Sequence, residues 1–332
     1  MKHIIRTFNL SLLVTAIAAI FATACGNSDP GDMPREEALK TLDDKIKKDS
    51  DNAELYYQRG VLLISIGKEK QLSQYFKDAI TDLNKATSLD GSHVEYFTAL
   101  ADAHFSLGNV GQSYAALQKA LDLDENNFEA SLKMGEIAYY SKNYERAMES
   151  LNKVTEQDKN NQTALLMKGF IYKETGDTAS AVSYFRRLIE LYPDFEPAYE
   201  ELGMLYASNR NKLGLEYLTT ALTLQPDNVN VLYGIAQLYQ DIEDADKANE
   251  YYVRILEIDP EFKYAWFNRG RLELELYEDY ENAADFFSKA IDCDPNFAEA
   301  HYNRGLAYEL LGDKAKADAC YEQARKLGYK EN

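Results

Sequence analysis

The sequence predicts an all-α protein, a solenoid of stacked helix pairs. A unit of about 34 residues recurs through nearly the whole chain, which is the mark of such an array. Ala, Leu, Glu, Lys and Tyr dominate the composition, and apolar residues reach 45%, enough to bury a core. No Pro/Gly/Ser-rich linker divides the 332 residues, so a continuous array replaces the two ordinary domains that this length suggests. The net charge of −19 argues against nucleic acid, whose phosphates require a basic face, and favours neutral or basic partners.

The first element is an export signal. Lys2 and Arg6 precede an apolar stretch from Leu10 to Ala24, followed by small residues and Cys25. The run Ala22-Thr23-Ala24-Cys25-Gly26 resembles the lipobox of bacterial lipoproteins, in which the cysteine is acylated and becomes the new N-terminus. Plain secretion and an uncleaved anchor are the alternatives, the second disfavoured because the stretch is shorter than the ~20 residues of a spanning helix. Gly26, in place of Asp, suggests the outer membrane by resemblance to enterobacterial sorting. Residues 1–24 are therefore expected to be a signal peptide, and 25–34, with GNSDPGDMP, a polar tether. Their loss makes the body two units more acidic, because Lys2 and Arg6 leave.

Residues 35–52 fit the second-helix half of a repeat, with Ala38 and Leu42 at packing positions, and are expected to cap the array. Eight full repeats follow, at 53–93, 94–127, 128–161, 162–195, 196–228, 229–262, 263–297 and 298–331. A small residue recurs at position 8: Gly60, Ala101, Gly135, Gly169, Gly203, Ala236, Gly270 and Gly305. It lets the two helices of a pair approach, while large residues at position 4 (Tyr56, Phe97, Tyr199, Trp266) and position 24 (Phe185, Tyr252, Phe287, Tyr321) fill the space between them. Pro193, Pro226, Pro260 and Pro295 stop the second helix. A lone pair cannot bury its apolar stripe, so stacking supplies the stability. With Trp266, Gly270, Ala290 and Pro295 in repeat seven, and Gly305, Tyr308, Ala317, Tyr321 and Ala324 in repeat eight, the region 53–331 resembles the tetratricopeptide repeat family. That resemblance implies a right-handed superhelix of about eight helix pairs with a concave binding face.

Three repeats break the register. Repeat one carries seven extra residues around 67–73, expected as extra turns on its helices; repeat five is one residue short near 209–211; repeat seven is one residue long near 277–279, expected in the inter-helix loop. No extra helix is expected after Leu327, so the last helix is expected to serve as its own cap, the alternative being that a partner covers repeat eight.

Little here points to chemistry. His104 and His301 fall on packing positions, and no HExxH, CxxC, GxSxG, P-loop or GxGxxG is present. The acidic runs at 122–127 and 241–246 lack the central glycine of a calcium loop. Cys293 and Cys320 sit at different helical phases and are expected to stay reduced. We expect no enzyme, metal or cofactor. The concave face expected from first-helix positions is acidic in repeats one to three (Glu54, Glu95, Asp102, Glu129, Glu136). In repeats six to eight it offers Tyr233, Gln237, Tyr264, Phe267, Asn268, Arg271, Tyr302 and Asn303 as partner-binding candidates. Asn268 and Asn303 would hydrogen-bond an extended peptide; the alternative is that FNRG and YNRG are common forms of the repeat.

The carboxylate clamp of chaperone-binding relatives needs bases in the groove. Position 5 reads Tyr57, Thr98, Leu132, Leu166, Glu200, Tyr233, Phe267 and Tyr302, so an acidic chaperone tail is not expected. The expectation is a lipid-anchored scaffold that binds envelope proteins or extended segments at the outer membrane, facing the periplasm or the cell surface. In architecture it resembles the repeat lipoproteins of outer-membrane protein assembly, pilus secretin assembly and cell-wall hydrolase recruitment. A surface glycan- or nutrient-binding lipoprotein is the rival.

Overall fold

The computed structural model describes residues 35–330, so the signal, tether and Cys25 lie outside the described residues. These residues form seventeen α-helices, one π-helical turn and no strand, in two compact units that meet at Lys159/Asn160. The first unit holds α1 (Arg35–Lys48), α2 (Ala53–Lys70), α3 (Ser73–Leu89), α4 (Val94–Ser106), α5 (Val110–Leu123), α6 (Phe128–Tyr140) and α7 (Tyr144–Gln157). The second holds α8 (Gln162–Glu174), α9 (Thr178–Leu191), α10 (Glu196–Ala207), α11 (Leu213–Leu224), α12 (Val229–Asp241) and α13 (Ala245–Ile258). It continues with α14 (Lys263–Leu272), the π-helix Glu273–Tyr277, α15 (Tyr280–Cys293), α16 (Ala298–Leu310) and α17 (Lys314–Lys326). Among the described residues, no helix is long and apolar enough to cross a membrane.

Each pair closes on the small residue of its first helix. A Cβ at Gly169 would lie 2.5 Å from the Phe185 ring, at Gly270 2.8 Å from Phe287, and at Gly135 2.8 Å from Leu151. No side chain fits there, so these helices touch backbone to side chain. Phe185, Tyr252 and Phe287 are fully buried, whereas at position 4 Tyr56, Phe97, Tyr199 and Trp266 remain half-exposed and His301 is buried. The position-4 rings have a different task. Tyr56 Oη donates to the Ser50 carbonyl (3.2 Å) and Trp266 Nε1 to that of Pro260 (2.9 Å), while His301 Nε2 lies 3.1 Å from the Pro295 carbonyl. In all three the ring ties its helix to a carbonyl six residues back in the incoming turn.

The turn inside each pair follows one geometry. Its residue of positive φ is Gly108, Gly176 or Gly312 in three repeats, and Gln71, Lys142, Arg210, Glu243 or Glu278 in the other five. In the later repeats an Asp then caps the second helix: Asp244 accepts from Lys247 N, Asp279 from Asn282 N and Asp313 from Lys316 N. The acidic run at 241–246 is thus a turn with its cap. In the run at 122–127, Asn127 caps α6 through Ala130 N. Among the described residues, no group of three or more His, Cys, Asp or Glu could hold a metal.

The irregular repeats resolve in three ways. In repeat one the extra residues lengthen both helices, to 18 and 17 residues. Repeat five shortens both of its helices to 12 and spans 208–212 as turn. Repeat seven departs from expectation: its additional residue sits inside the first helix, which widens into the π-turn and closes with Asp279 N bonded to the Glu273 carbonyl at 3.0 Å. At the N-terminal end α1 packs on α2 through Leu39, and Asp43 holds Arg59 at 2.7 Å. Cys293 and Cys320 are free thiols.

Candidate partner-binding faces

In the first unit α2, α4 and α6 pack side by side and bring the five expected carboxylates onto one surface. At its centre the rings of Tyr57 and Tyr96 meet at 4.8 Å. Tyr96 is 2% exposed, and its hydroxyl donates to Glu54 at 3.1 Å. Burial first, and then the charges of Glu95, Glu129, Glu54 and Asp102, push the Tyr57 phenol up to about 12. Four carboxylates therefore crowd one half-buried ring. An ammonium enters among them: Lys133 Nζ lies 2.7 Å from Asp102 and 3.7 Å from Glu129. Burial raises the Glu136 carboxyl above its ordinary range, Lys133 opposing and Asp102 adding to the effect.

In the second unit the expected partner residues separate into three groups. Tyr233, Tyr264, Phe267 and Asn268 join one aromatic lattice. Tyr233 packs on Phe262 (5.3 Å) and Tyr264 (6.3 Å), Tyr264 on Phe297 (5.7 Å), and Phe267 on Phe297 (4.9 Å) and Phe287 (5.6 Å). Asn268 differs from expectation. It is 7% exposed and its Nδ2 donates to the Tyr233 hydroxyl at 3.1 Å, because position 6 here turns toward the neighbouring first helix. Its amide nitrogen is committed inside the face. Arg271 grips Glu275 through two bonds of 2.9 Å, and Gln237 is exposed. Tyr302 and Asn303 lie one repeat further on. Asn303 gives its amide hydrogen to the Glu299 carbonyl (2.8 Å), and Tyr302 stacks on Tyr329 at 4.4 Å.

Four contributors escaped the sequence reading: Tyr96, Lys133, the Phe262/Phe297 pair and Tyr329. The phenylalanines left a trace, since Phe195, Phe262 and Phe297 each immediately precede a first helix. Trp266 is no open platform. Its indole lies against Phe286 at 5.7 Å with Lys289 Nζ 4.4 Å above it.

Three matches to repeat models fall in the second unit, at residues 229–262, 278–312 and 298–329, described as tetratricopeptide or TPR repeats. The chain carries tetratricopeptide repeats. A further model, the TPR domain of cytochrome c-type biogenesis protein H, matches residues 89–199 of the array. Solved tetratricopeptide structures share the fold. The C-terminal part of a TPR repeat-containing protein from Cytophaga hutchinsonii aligns with a TM-score of 0.60 at 18% identity, covering 72% of this chain and 97% of that one. A tetratricopeptide repeat protein from Parabacteroides merdae gives 0.56 at 18% identity, over 73% and 95%. Pseudomonas aeruginosa pilF gives 0.52 at 21%, over 68% and 94%. No curated protein matches this chain.

Proposed function

We propose that this tetratricopeptide protein is a non-catalytic scaffold of a bacterial envelope, held by lipid at Cys25 and binding a protein partner along its first helices. The observation that carries the reading is the presence, in a chain of repeats, of two first-helix faces with side chains suited to protein segments: an acidic, tyrosine-floored one and an aromatic one. The acidic face suits neutral or basic segments, since a second acidic chain would meet like charge. The aromatic face suits apolar and aromatic side chains. The lipobox-like run ending at Cys25, followed by Gly26, supports attachment at the outer membrane, with the array facing the periplasm or the cell surface.

Cross-linking in intact cells tests the binding reading. A photo-reactive residue at position 129 or 264 should capture the same protein in repeated experiments, while one at the exposed outer position 285 should not. Equal capture from all three positions defeats it. For the anchor, Cys25→Ser should release the chain from membranes or stall its processing; normal processing with full membrane retention refutes lipidation.

A further inference from the structure

An arginine stands immediately before the close-packing glycine of the first helix in repeats one, seven and eight: Arg59, Arg269 and Arg304. The three meet different groups. Arg59 is met by two aspartates, its Nε and Nη2 donating to Asp82 at 2.7 and 2.6 Å and its Nη1 to Asp43 at 2.7 Å. Asp82 directly precedes Leu83, the side chain that lies against Gly60. In repeat seven the residue with that place, directly before the Phe287 that lies against Gly270, is Phe286. Arg269 therefore finds a ring where Arg59 finds a carboxylate. Its Cζ lies 4.2 Å from the Phe286 centroid and 5.6 Å from that of Trp266, and its Nε donates to Asn249 of α13 at 3.0 Å. Arg304 donates to two neutral groups, Ser288 Oγ at 3.2 Å and Cys320 Sγ at 3.4 Å. Lys289, one turn beyond Phe286 on α15, sets its ammonium 4.4 Å from the Trp266 centroid and 5.4 Å from that of Phe286. Among the described residues neither Arg269 nor Lys289 forms an ion pair, in a chain of net charge −19. The bond to Asp82 raises the pKa of Arg59, whereas burial lowers that of Arg269, with Glu273 opposing. A guanidinium taken partly out of water without a counter-charge gains from acquiring one.

We propose that Arg269 and Lys289, on the second-helix side of repeat seven, bind carboxylate side chains of an acidic partner segment, separate from the partner on the first helices. The chemistry of the occupant follows from repeat one, where the fold itself sets aspartates against the corresponding arginine. It follows also from charge, because both cations lack an acidic partner on an otherwise acidic molecule. Arg269 reaches α13 through Asn249 and α15 through Phe286, so the site belongs to the second helices and not to the ring lattice of Tyr233, Tyr264 and Phe267. It goes beyond the first-helix binding reading and does not depend on it.

Trp266 is the chain's single tryptophan, so its emission reports on this site. The full chain is titrated with a synthetic peptide alternating glutamate and serine, with the same peptide carrying glutamine for glutamate, and with inorganic phosphate at matched ionic strength. The glutamate peptide should change Trp266 emission saturably, and the other two probes should not. Lys289→Gln, at an exposed position, should weaken binding about fivefold, and Arg269→Gln about tenfold. If Arg269→Gln fails to fold, Lys289→Gln carries the test. Phe286→Asp supplies from within the carboxylate that repeat one carries, so it should bind the peptide far more weakly than Phe286→Asn does. No saturable change in emission overturns the site and leaves two cations that only pack on rings. An equal response to the glutamine peptide or to phosphate, unchanged affinity in Lys289→Gln, or equal affinity in Phe286→Asp and Phe286→Asn overturns it too. Cross-linking from positions 129 and 264 reads the first-helix faces separately, because neither residue lies at this site.

Discussion

The two faces are built on one backbone plan and differ in what holds them. In the first unit the surface over α2, α4 and α6 is electrostatic: carboxylates gather round Tyr57, and Lys133 and Lys68 relieve part of the repulsion. In the second unit the corresponding surface is a lattice of rings with a buried polar link inside it, from Asn268 to Tyr233. A ring lattice contributes to stability through the area it buries, so damage to it should spread through its repeats. A half-exposed acidic surface contributes little to stability and is open to screening and to titration. The same repeat can therefore carry a face that belongs to the core and a face that is held in reserve.

The sharpest way to break this contrast is Phe297→Ala. Removing a ring shared by Tyr264 and Phe267 should cost ~3 kcal/mol, with hydrogen exchange rising across α14 to α16 and unchanged in α2 to α6. A loss under about 1 kcal/mol would mean that the lattice is not part of the core. Next in size is Asn268→Ala, which deprives the Tyr233 hydroxyl of its partner. It should lower stability by about 1–2 kcal/mol in denaturant titration; an unchanged midpoint would restore the idea that Asn268 is held out for a ligand.

The smallest effect belongs to the acidic face. The folded-state pKa of Glu136 is raised, so its contribution is fully present below the unfolded-state pKa and is lost as pH rises through the folded one. Glu136→Gln should accordingly be more stable than the parent at pH 7, by ~0.5 kcal/mol. The gain should vanish as pH falls through the ordinary glutamate range. A gain that persists at pH 3 would assign it to packing instead of charge.

Much of this was legible in advance because the repeat is a local code. Gly60, Gly135, Gly169 and Gly270 named the points of closest helix approach, and Phe185 and Phe287 the rings that meet them, since spacing along a helix fixes which side chains face the pair. The acidic and aromatic halves of the face were legible for the same reason. Less legible was the state of each side chain within a face. Asn268 and Asn303 occupy the same repeat position, yet one is buried against a tyrosine hydroxyl and the other bonds within its own helix. Position 5 of the preceding repeat, thirty-five residues earlier, decides that difference. The extra residue of repeat seven gave its presence away but not its place, because a loop and a π-turn absorb one residue equally well and the chain length is the same in both.

The sequence by itself determined the helix pairs, the close contacts at the small residues, the lengthened first repeat and the division of charge along the chain, all of which follow from periodicity and local sterics. The tertiary structure alone decided which polar groups are committed and which are offered: Lys133 among the carboxylates, Asn268 inside the lattice, Tyr329 folded back on Tyr302. Those pairings join residues 27 to 35 positions apart on different elements, and only the packing of one repeat on the next brings such residues within bonding distance.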